Sequence, residues 1–238
     1  MSRLIRVGFS ALLSVGIFAG AYGQVTKVSG GYLFKNKYTA GKTMAYRMDM
    51  NSSFGGASYK VSLSYSQKVK SVKNGIATIE VTMTPPMMNG QPVPGAGGNG
   101  KPTTVTGRVD SSGRLIDGSQ AQAMGLVYTG KPIPIGGKWS SQLNLGNGPA
   151  GGGTVNAVYT LRKITQYKGK PAAEFSITIG GVSEMKISGS GTSWVSMADG
   201  SQLDSKILLT IEVGANQTGM SGGKPIKVGS TINLIRTK

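Results

Sequence analysis

The stretch PIGGKW at residues 134–139 marks the start of a second half that repeats the plan of the first. Its two glycines predict a turn, because glycine interrupts both helices and strands. Trp139, one of two tryptophans in the chain, then begins a predicted strand. In the first half, Gly41-Lys42 stands at the matching place, directly before another predicted strand. The rest of the fold can be worked out from this joint in both directions.

Alternation of apolar and polar residues identifies most of the strands. In residues 59–70, tyrosine, valine and leucine alternate with lysine and serine. Successive side chains of a strand point to opposite faces, so this pattern predicts a strand with one buried and one wet face. The pairs Asn74-Gly75 and Asp199-Gly200 are typical of tight hairpin turns. We therefore predict that neighbouring strands are joined mainly by hairpins.

The two halves agree in the order of these turns. After its opening strand, each half has one hairpin and then a second hairpin. The turns are Asn74-Gly75 and the segment 110–113 in the first half, and Lys168-Gly169 and Asp199-Gly200 in the second. We interpret the chain as two copies of one β-meander around a shared core. The predicted divisions are a signal peptide at 1–23, a first β half at 24–130 and a second at 131–238, the two halves forming one domain.

Some segments lack strand alternation. Residues 119–128 predict one short helix, with Ser119 as its N-cap. Residues 85–102 and 146–153 are rich in glycine and proline and predict loops. Gly180-Gly181 predicts a break, and residues 184–197 predict a long strand, within which Gly189-Ser190-Gly191 is interpreted as a loop tripeptide. The resulting fold class is mostly β: an antiparallel curved sheet or barrel built from two related β-meander halves, with one short helix.

The N-terminus has the pattern of a secretory signal peptide. Arg3 and Arg6 supply positive charge, and an apolar run follows over residues 7–20. AYG at 21–23 places small residues at the two positions that a signal peptidase reads, so we predict cleavage before Gln24. The apolar run is shorter than the roughly 20 residues that a membrane-spanning helix needs. We therefore expect export to the bacterial periplasm or the extracellular space, with no transmembrane anchor after cleavage.

The chain is strongly basic and contains no cysteine. It has 26 Lys+Arg against 9 Asp+Glu, a net charge of +17. Cleavage would remove two arginines and no acidic residue, which leaves +15. Such a field attracts anionic partners, although scattered lysines are also typical of a solvated surface. The absence of cysteine excludes disulfides and thiolate metal sites, and in an exported protein it favours a bacterial origin.

Few residues are suited to catalysis. The chain has no histidine, so the usual general base and metal ligand near neutral pH is missing. It also lacks a cysteine nucleophile, and its nine acidic residues show no spacing suggestive of a catalytic carboxylate pair. The glycine-rich loops lack the Lys-Ser/Thr of a phosphate-binding loop. Aromatic residues are few and share the apolar strand faces, which disfavours nucleic-acid binding. We predict no enzyme activity, no cofactor and no metal.

Three further motifs carry a family resemblance. They are PIPIGGKW at 132–139, the hairpin segment YKGKPAAEFSITI at 167–179, and ADGSQLDSKI at 198–207. With these, the chain resembles uncharacterised exported bacterial β-rich proteins that have a Pro-rich, Gly-x-x-Trp-like element before paired long strands. Its layout is also similar to half-barrels of the lipoprotein-carrier (LolA/LppX) type. That resemblance implies an envelope location and acyl-chain binding in a concave face, but it assigns no binding residue.

Two hypotheses for function follow. In the first, the protein is a non-catalytic envelope protein that binds an apolar or amphipathic ligand such as a lipid, or a protein partner, in a concavity of its sheet. The candidate lining residues are Tyr46, Met48, Leu63, Trp139, Tyr159, Phe175 and Trp194. In the second, it is a structural or surface-interaction protein that places a basic face on an anionic envelope polymer or membrane. The candidate basic residues are Lys60, Lys68, Lys70, Arg162 and Lys163.

Overall fold

A computed structural model describes residues 23–54, 57–93, 100–117, 126–148, 151–182, 185–213 and 226–238. These residues contain fifteen β-strands and no α-helix. The predicted signal peptide lies outside them except for Gly23, and its cleavage stays a prediction. Among the described residues there is no helix of the length and apolarity that crossing a membrane requires.

The strands follow one another along the whole chain. They are β1 (Gly23–Val28), β2 (Gly31–Asn36), β3 (Thr43–Phe54), β4 (Ala57–Lys73), β5 (Ile76–Met83), β6 (Met87–Met88), β7 (Gln91–Pro92), β8 (Thr103–Val109), β9 (Leu115–Asp117), β10 (Lys138–Gly148), β11 (Gly151–Tyr167), β12 (Lys170–Val182), β13 (Met185–Ser196), β14 (Gln202–Val213) and β15 (Ile226–Arg236).

Thirteen of these strands form one antiparallel sheet. Its order is β10-β11-β12-β13-β14-β15-β3-β4-β5-β8-β9, and the short hairpin β6–β7 attaches to β4. The remaining strands, β1 and β2, pair only with each other among the described strands and form a separate small sheet. The end strands β9 and β10 are not paired with one another in the described part of the chain. The predicted antiparallel, mostly β fold is confirmed, and of the two alternatives the sheet is open rather than a closed barrel.

The two predicted halves are two meanders that meet at the chain's last strand. β15 pairs with β3, so that Ile232 lies opposite Met50 and Leu234 opposite Met48. Because β15 pairs with β3, the consecutive strands β9 and β10 lie at opposite edges of the sheet. The chain between them must therefore run from one edge to the other, and its described part is residues 126–137, here called the connecting segment.

The opening turns of the two halves have the same hydrogen bonds. The Gly41 N–H donates to the Val69 carbonyl at 2.8 Å, and the Gly136 N–H donates to the Leu161 carbonyl at 2.7 Å. Val69 and Leu161 each donate back to the residue after the glycine, in both cases at 3.0 Å. Gly41 and Gly136 have φ of 80° and 83°, values that glycine adopts without steric cost. The PIGGKW stretch thus builds the same turn as its first-half counterpart, while a duplication of the halves remains a prediction.

The main hairpin of each half also turns in the same way. Asn74 and Gly75 have φ of 52° and 75°, and Lys168 and Gly169 have φ of 49° and 76°. Positive φ at both central residues is the signature of a type I′ turn, whose twist matches that of the flanking strands. These two turns were correctly placed by the sequence. Lysine rarely adopts positive φ, so the second turn was predicted from its glycine alone.

Several predicted interruptions are wrong because glycine was given too much weight. The predicted loop at 146–153 belongs to β10 and β11, apart from residues 149–150, which lie outside the described chain. β12 continues through both glycines at 180–181. Gly189 and Gly191 lie in the middle of β13, where a Cβ on Gly191 would stand 2.3 Å from the Lys206 carbonyl oxygen. These last two glycines therefore allow β14 to approach closely rather than ending a strand.

Two further predictions are modified by the structure. Residues 126–128 of the predicted helix have no helical structure, and residues 119–125 lie outside the described part. The predicted loop at 85–102 contains the β6–β7 hairpin, in which Met88 lies opposite Val61 of β4. Met88 packs against the core, and residues 94–99 of this loop are outside the described chain.

The core lies on one face of the sheet, here called the inner face. It carries the apolar residues of each alternating strand, including Met44, Tyr46, Met48 and Met50 of β3, all 1% exposed. The opposite, outer face carries mainly serine, threonine, lysine and other polar residues. Burial of each large apolar side chain contributes about 1.5–3 kcal/mol, so the inner face supplies most of the driving force for folding.

Candidate functional site

The inner face of the large sheet is partly covered by the hairpin of β1 and β2, here called the covering hairpin. Its residue Phe34 is 1% exposed and packs edge-on against Phe175 of β12, with ring centroids 5.2 Å apart. Phe34 also stacks on Tyr128 of the connecting segment at 5.4 Å. A hairpin from the start of the chain and a segment from its middle therefore share one aromatic contact with the sheet.

Few backbone hydrogen bonds attach the covering hairpin to its surroundings. Tyr32 and Ile133 exchange two bonds of 2.9 Å, which form an isolated antiparallel bridge with the connecting segment. The Asn36 N–H donates to the Ser111 carbonyl at 2.7 Å. Close approach at the bridge requires a glycine, since a Cβ on Gly31 would lie 2.4 Å from the Ile133 oxygen. The covering hairpin is thus held by side-chain packing more than by strand pairing.

The connecting segment is more firmly anchored than the covering hairpin. The Tyr128 N–H donates to the Ser112 carbonyl at 2.8 Å, and its hydroxyl donates to the Gly200 carbonyl at 3.1 Å. The Trp139 indole N–H donates to the Val127 carbonyl at 2.9 Å. These bonds tie the segment to both halves of the sheet, so it forms a fixed support for the bridge at Ile133.

Six of the seven predicted lining residues lie on the inner face. Tyr46, Met48 and Leu63 belong to β3 and β4, while Trp139, Tyr159 and Phe175 belong to β10, β11 and β12; all six are buried. Trp139 stacks on Tyr159 at 5.1 Å and meets Phe175 edge-on at 5.3 Å. The structure therefore brings the second-half aromatics together directly beneath Phe34 of the covering hairpin.

The seventh predicted lining residue, Trp194, lies on the outer face, separated from the other six by the sheet. It stacks on Tyr167 with centroids 4.6 Å apart, and its indole N–H donates to Glu174 Oε2 at 3.2 Å. Tyr167 donates in turn to the carboxylate of Asp204, which also accepts from Lys168 at 3.2 Å. The sequence prediction misplaced Trp194 because it treated both tryptophans as apolar without assigning the parity of β13.

The structure also identifies two aromatic residues of this site that the sequence analysis did not select. Phe34 and Tyr128 both lie outside the large sheet, so the period-two pattern used to choose lining residues could not include them. The run Tyr32-Leu33-Phe34 is the one sequence signal that could have found Phe34. Tyr128 falls in a segment predicted as helix, and its pairing with Phe34 depends on the path of the connecting segment.

The rings of Phe34, Tyr128, Trp139, Tyr159 and Phe175 are here called the aromatic cluster. One buried hydroxyl in this cluster has no partner among the described residues. Tyr159 is fully buried, and its hydroxyl makes no hydrogen bond there. Burial raises the pKa of Tyr159, as it does that of Tyr128, so both phenols stay neutral at physiological pH. An unpaired buried hydroxyl costs about 1–3 kcal/mol. Tyr159 is therefore a polar group in an apolar surround that a bound polar atom would stabilise.

The predicted basic residues occupy two separate places. Lys60 and Lys68 are exposed on β4, where Lys70 also lies and pairs with Glu80 at 3.3 Å. Arg162 and Lys163 lie on β11, six strand positions away, which is about 29 Å at a strand spacing of about 4.8 Å. Lys163 pairs with Glu174 at 3.5 Å. The five residues therefore do not form one patch.

In the described part of the chain, no three aspartate, glutamate, histidine or cysteine side chains lie close enough together to hold a metal ion.

Comparisons with known proteins identify no family for this chain. No family model matches the chain, and no curated protein matches it. Four solved protein chains do match; one is a structure described as lipid–protein interactions in lipovitellin, with 12% sequence identity and a TM-score of 0.43. The match covers 85% of this chain and 26% of that one, so the chain spans about a quarter of lipovitellin. The resemblance to lipoprotein carriers and to exported bacterial β proteins stays a prediction.

Proposed function

We propose that this chain is a non-catalytic, exported protein that binds an apolar or amphipathic ligand against its inner face, beneath the covering hairpin. The observation that carries the proposal is the nature of the cover. A two-stranded hairpin that forms its own small sheet lies over packed aromatic side chains, and in the described part of the chain its one backbone bridge to the connecting segment is that between Tyr32 and Ile133. Because β1 and β2 are not strands of the large sheet, the covering hairpin can move away from the inner face while the strand pairing of that sheet stays intact.

The surface beneath the covering hairpin indicates the ligand chemistry. Its side chains are the rings of Trp139, Tyr159 and Phe175, against which a hydrocarbon chain packs well. The unpartnered Tyr159 hydroxyl supplies one hydrogen bond within this apolar surface. An acyl chain with a polar end group satisfies both features, because its chain replaces Phe34 and its polar end meets the hydroxyl.

Binding at this place requires the covering hairpin to move. In the structure the inner face is occupied by the protein's own side chains, since Phe34 and the aromatics below it are all buried. The apparent affinity is then the intrinsic affinity reduced by the fraction of molecules with the hairpin displaced. A change that loosens the hairpin without altering the rings below should therefore tighten ligand binding.

Titration of the full-length protein with the fluorescent fatty acid cis-parinaric acid tests the proposal. It is done at high ionic strength, which screens attraction between the basic surface and the probe's carboxylate. The variant Phe34→Ala should bind several-fold more tightly than the unaltered protein, and Trp194→Phe, altered on the outer face, should bind unchanged. Equal binding by all three proteins, or no binding by any, would contradict the proposal. Circular dichroism of each variant checks that the strands are retained.

A second candidate function is interaction of the basic outer face with an anionic polymer or membrane. Lys60 and Lys68 support it, because both are exposed on β4 and no carboxylate pairs with either among the described residues. Vesicles with and without anionic lipid separate the two functions. Binding that requires anionic lipid and is abolished by salt supports this candidate, and salt-independent uptake of the fatty acid supports the first.

A further inference from the structure

A groove of about 620 Å³ lies where β14, β15, β3 and β4 run side by side. This volume falls within the roughly 300–1,000 Å³ of small-molecule sites. The exposed side chains that line it lie on the outer face, so it is separated by the sheet from the aromatic cluster. It is independent of the fatty-acid site proposed above, and it shares Lys60 with the second candidate function.

Two rows of side chains cross the four strands and form the walls of the groove. In the first row, the cross-strand partners are Thr210, Gly229, Ser53 and Ser58. In the second row, they are Leu208, Thr231, Asn51 and Lys60. Four strands at a spacing of about 4.8 Å make this platform about 14 Å long. The platform is thus elongated across the strands and suits a short linear ligand.

The depth of the groove depends on the absence of a side chain at Gly229. This residue is exposed in the middle of the first row, and its φ is not in the left-handed region. A Cβ placed there would meet a single atom within 4 Å, Ser53 Oγ at 3.5 Å. Neither backbone conformation nor core packing therefore requires glycine here, and its effect is to leave space open to solvent.

The polar groups of the groove suit a sugar. On the outer face its lining includes the hydroxyl groups of Ser53, Ser58, Thr210 and Thr231 and the amide of Asn51, which both donate and accept hydrogen bonds. Leu208 is 54% exposed at one end and offers an apolar contact for the C–H face of a sugar ring. Hydroxyl and amide groups around a small apolar patch match the alternating C–H and O–H surface of a saccharide.

The charge of the groove selects among saccharides. Among the described residues that line it, Lys60 is the only charged one, and none carries a carboxylate. Asp49 lies on β3 two residues before Asn51, outside the groove, and its carboxylate is already paired with Arg47 at 2.9 Å. A ligand with one carboxylate near Lys60 would gain a charge-assisted hydrogen bond, which is about twice as strong as a neutral one. A ligand with a positive charge would be repelled.

We propose that this outer groove binds a short acidic oligosaccharide, with Lys60 contacting a sugar carboxylate and the hydroxyl rows contacting the ring hydroxyls. The length of the platform sets the length of ligand that fits, the missing side chain at Gly229 leaves space for the ligand, and Lys60 favours an acidic sugar over a neutral one. The same residues would hold a free oligosaccharide or a stretch of a longer acidic polymer.

The test is isothermal titration of the full-length protein with trigalacturonic acid, with the neutral trisaccharide maltotriose as the comparison ligand. Lys60→Gln should weaken binding at least tenfold, because it removes the single cation of the groove, and Gly229→Leu should abolish binding, because it fills the space. The matched control is Lys73→Gln, since Lys73 is exposed at the far end of the same strand, thirteen residues away, or about 44 Å. This control should bind like the unaltered protein.

Three results would overturn the inference. They are no detectable binding of trigalacturonic acid by the unaltered protein, equal binding of maltotriose, and equal weakening by Lys60→Gln and Lys73→Gln. The last result would mean that the general positive charge attracts the ligand rather than this groove. None of these results bears on the inner face, because the fatty-acid titration addresses residues on the other side of the sheet.

Discussion

Phe34 of the covering hairpin and Phe175 of β12 meet edge-on with their ring centroids 5.2 Å apart, although 141 positions separate them in sequence. The contact joins the start of the chain to the middle of the second meander. Edge-on aromatic pairs contribute about 0.5–1.5 kcal/mol beyond the area they bury. It is therefore one of the contacts that couple the covering hairpin to the inner face, together with the burial of Val25 in the same core.

The substitution Phe34→Ala should destabilise the protein without dissolving the sheet. Phe34 is almost fully buried, and removal of a buried phenylalanine ring typically costs about 3–5 kcal/mol. The cost should be at the low end, because the covering hairpin can move to fill part of the cavity. Urea unfolding followed by tryptophan fluorescence measures it. A loss below about 1 kcal/mol would mean that the hairpin is not packed on the aromatic cluster.

The two tryptophans should respond differently to the same change. Trp139→Phe removes a buried indole donor and leaves the Val127 carbonyl unpaired, which costs about 1–3 kcal/mol. Trp194→Phe removes a bond to Glu174, but this carboxylate keeps its pair with Lys163, so the cost should be smaller than that of Trp139→Phe. Urea unfolding of both variants under the same conditions makes the comparison. Equal losses would contradict the placement of the two residues on opposite faces.

Two glycines on neighbouring parts of the sheet should differ in their tolerance of alanine. A Cβ on Gly191 would lie 2.3 Å from the Lys206 carbonyl oxygen, and the strands would have to separate. Overpacking of this kind costs about 1–3 kcal/mol. A Cβ on Gly229 would meet only Ser53 Oγ at 3.5 Å, so Gly229→Ala should change stability by less than about 0.5 kcal/mol. Thermal unfolding of both variants measures the two losses of stability. A greater loss of stability for Gly229→Ala than for Gly191→Ala would be inconsistent with open space at Gly229 in the outer groove.

The stability of the protein should depend on acid pH through Asp199. Burial alone would raise the pKa of the Asp199 carboxyl, but hydrogen bonds from Ser201 and the ion pair with Arg236, at 2.8 Å, lower it below its ordinary value. A lowered pKa in the folded state means that this stabilisation is present above about pH 4 and is lost as the pH falls through the folded value. Asp199→Asn should therefore be less stable than the unaltered protein at pH 7, with a smaller difference at pH 3.

The control for this prediction is Asp49→Asn. Asp49 forms an exposed pair with Arg47, and surface pairs contribute only about 0–1 kcal/mol, so Asp49→Asn should change stability little at either pH. A difference between Asp199→Asn and the unaltered protein that is the same at pH 7 and pH 3 would contradict the assignment.

A chain without histidine should also show little change in stability between about pH 5 and pH 8.

The sequence was most informative where local pattern decides structure. Alternation placed the large apolar side chains of β3, β4, β11 and β12 on one face, and the Asn-Gly and Lys-Gly pairs located the two type I′ turns. Strand pairing between distant segments left no local signal. The pairing of β15 with β3 is such a case, and because of it the connecting segment runs from one edge of the open sheet to the other.

The candidate sites show the same limit. Tyr159 and Phe175 were predicted from their parity within strands that are well defined in sequence. Phe34 and Tyr128 were not, because their roles depend on tertiary contacts outside the large sheet. Gly191 was predicted as part of a loop, since glycine needed for close strand approach and glycine needed for a turn look alike in a single sequence. The outer groove arises from register across four strands, which no single strand encodes.

Locking the covering hairpin in place tests the inner-face proposal most directly. Tyr32 and Ile133 form a hydrogen-bonded antiparallel pair, whose Cα atoms lie about 5.5 Å apart, a separation that a disulfide spans. The chain has no cysteine of its own, so the double variant Tyr32→Cys/Ile133→Cys can form only this bond within one molecule. Binding of cis-parinaric acid is then measured for the oxidised and reduced forms of the same protein. We predict that the oxidised form binds at least tenfold more weakly and that reduction restores binding, whereas equal binding by the two forms would contradict the account.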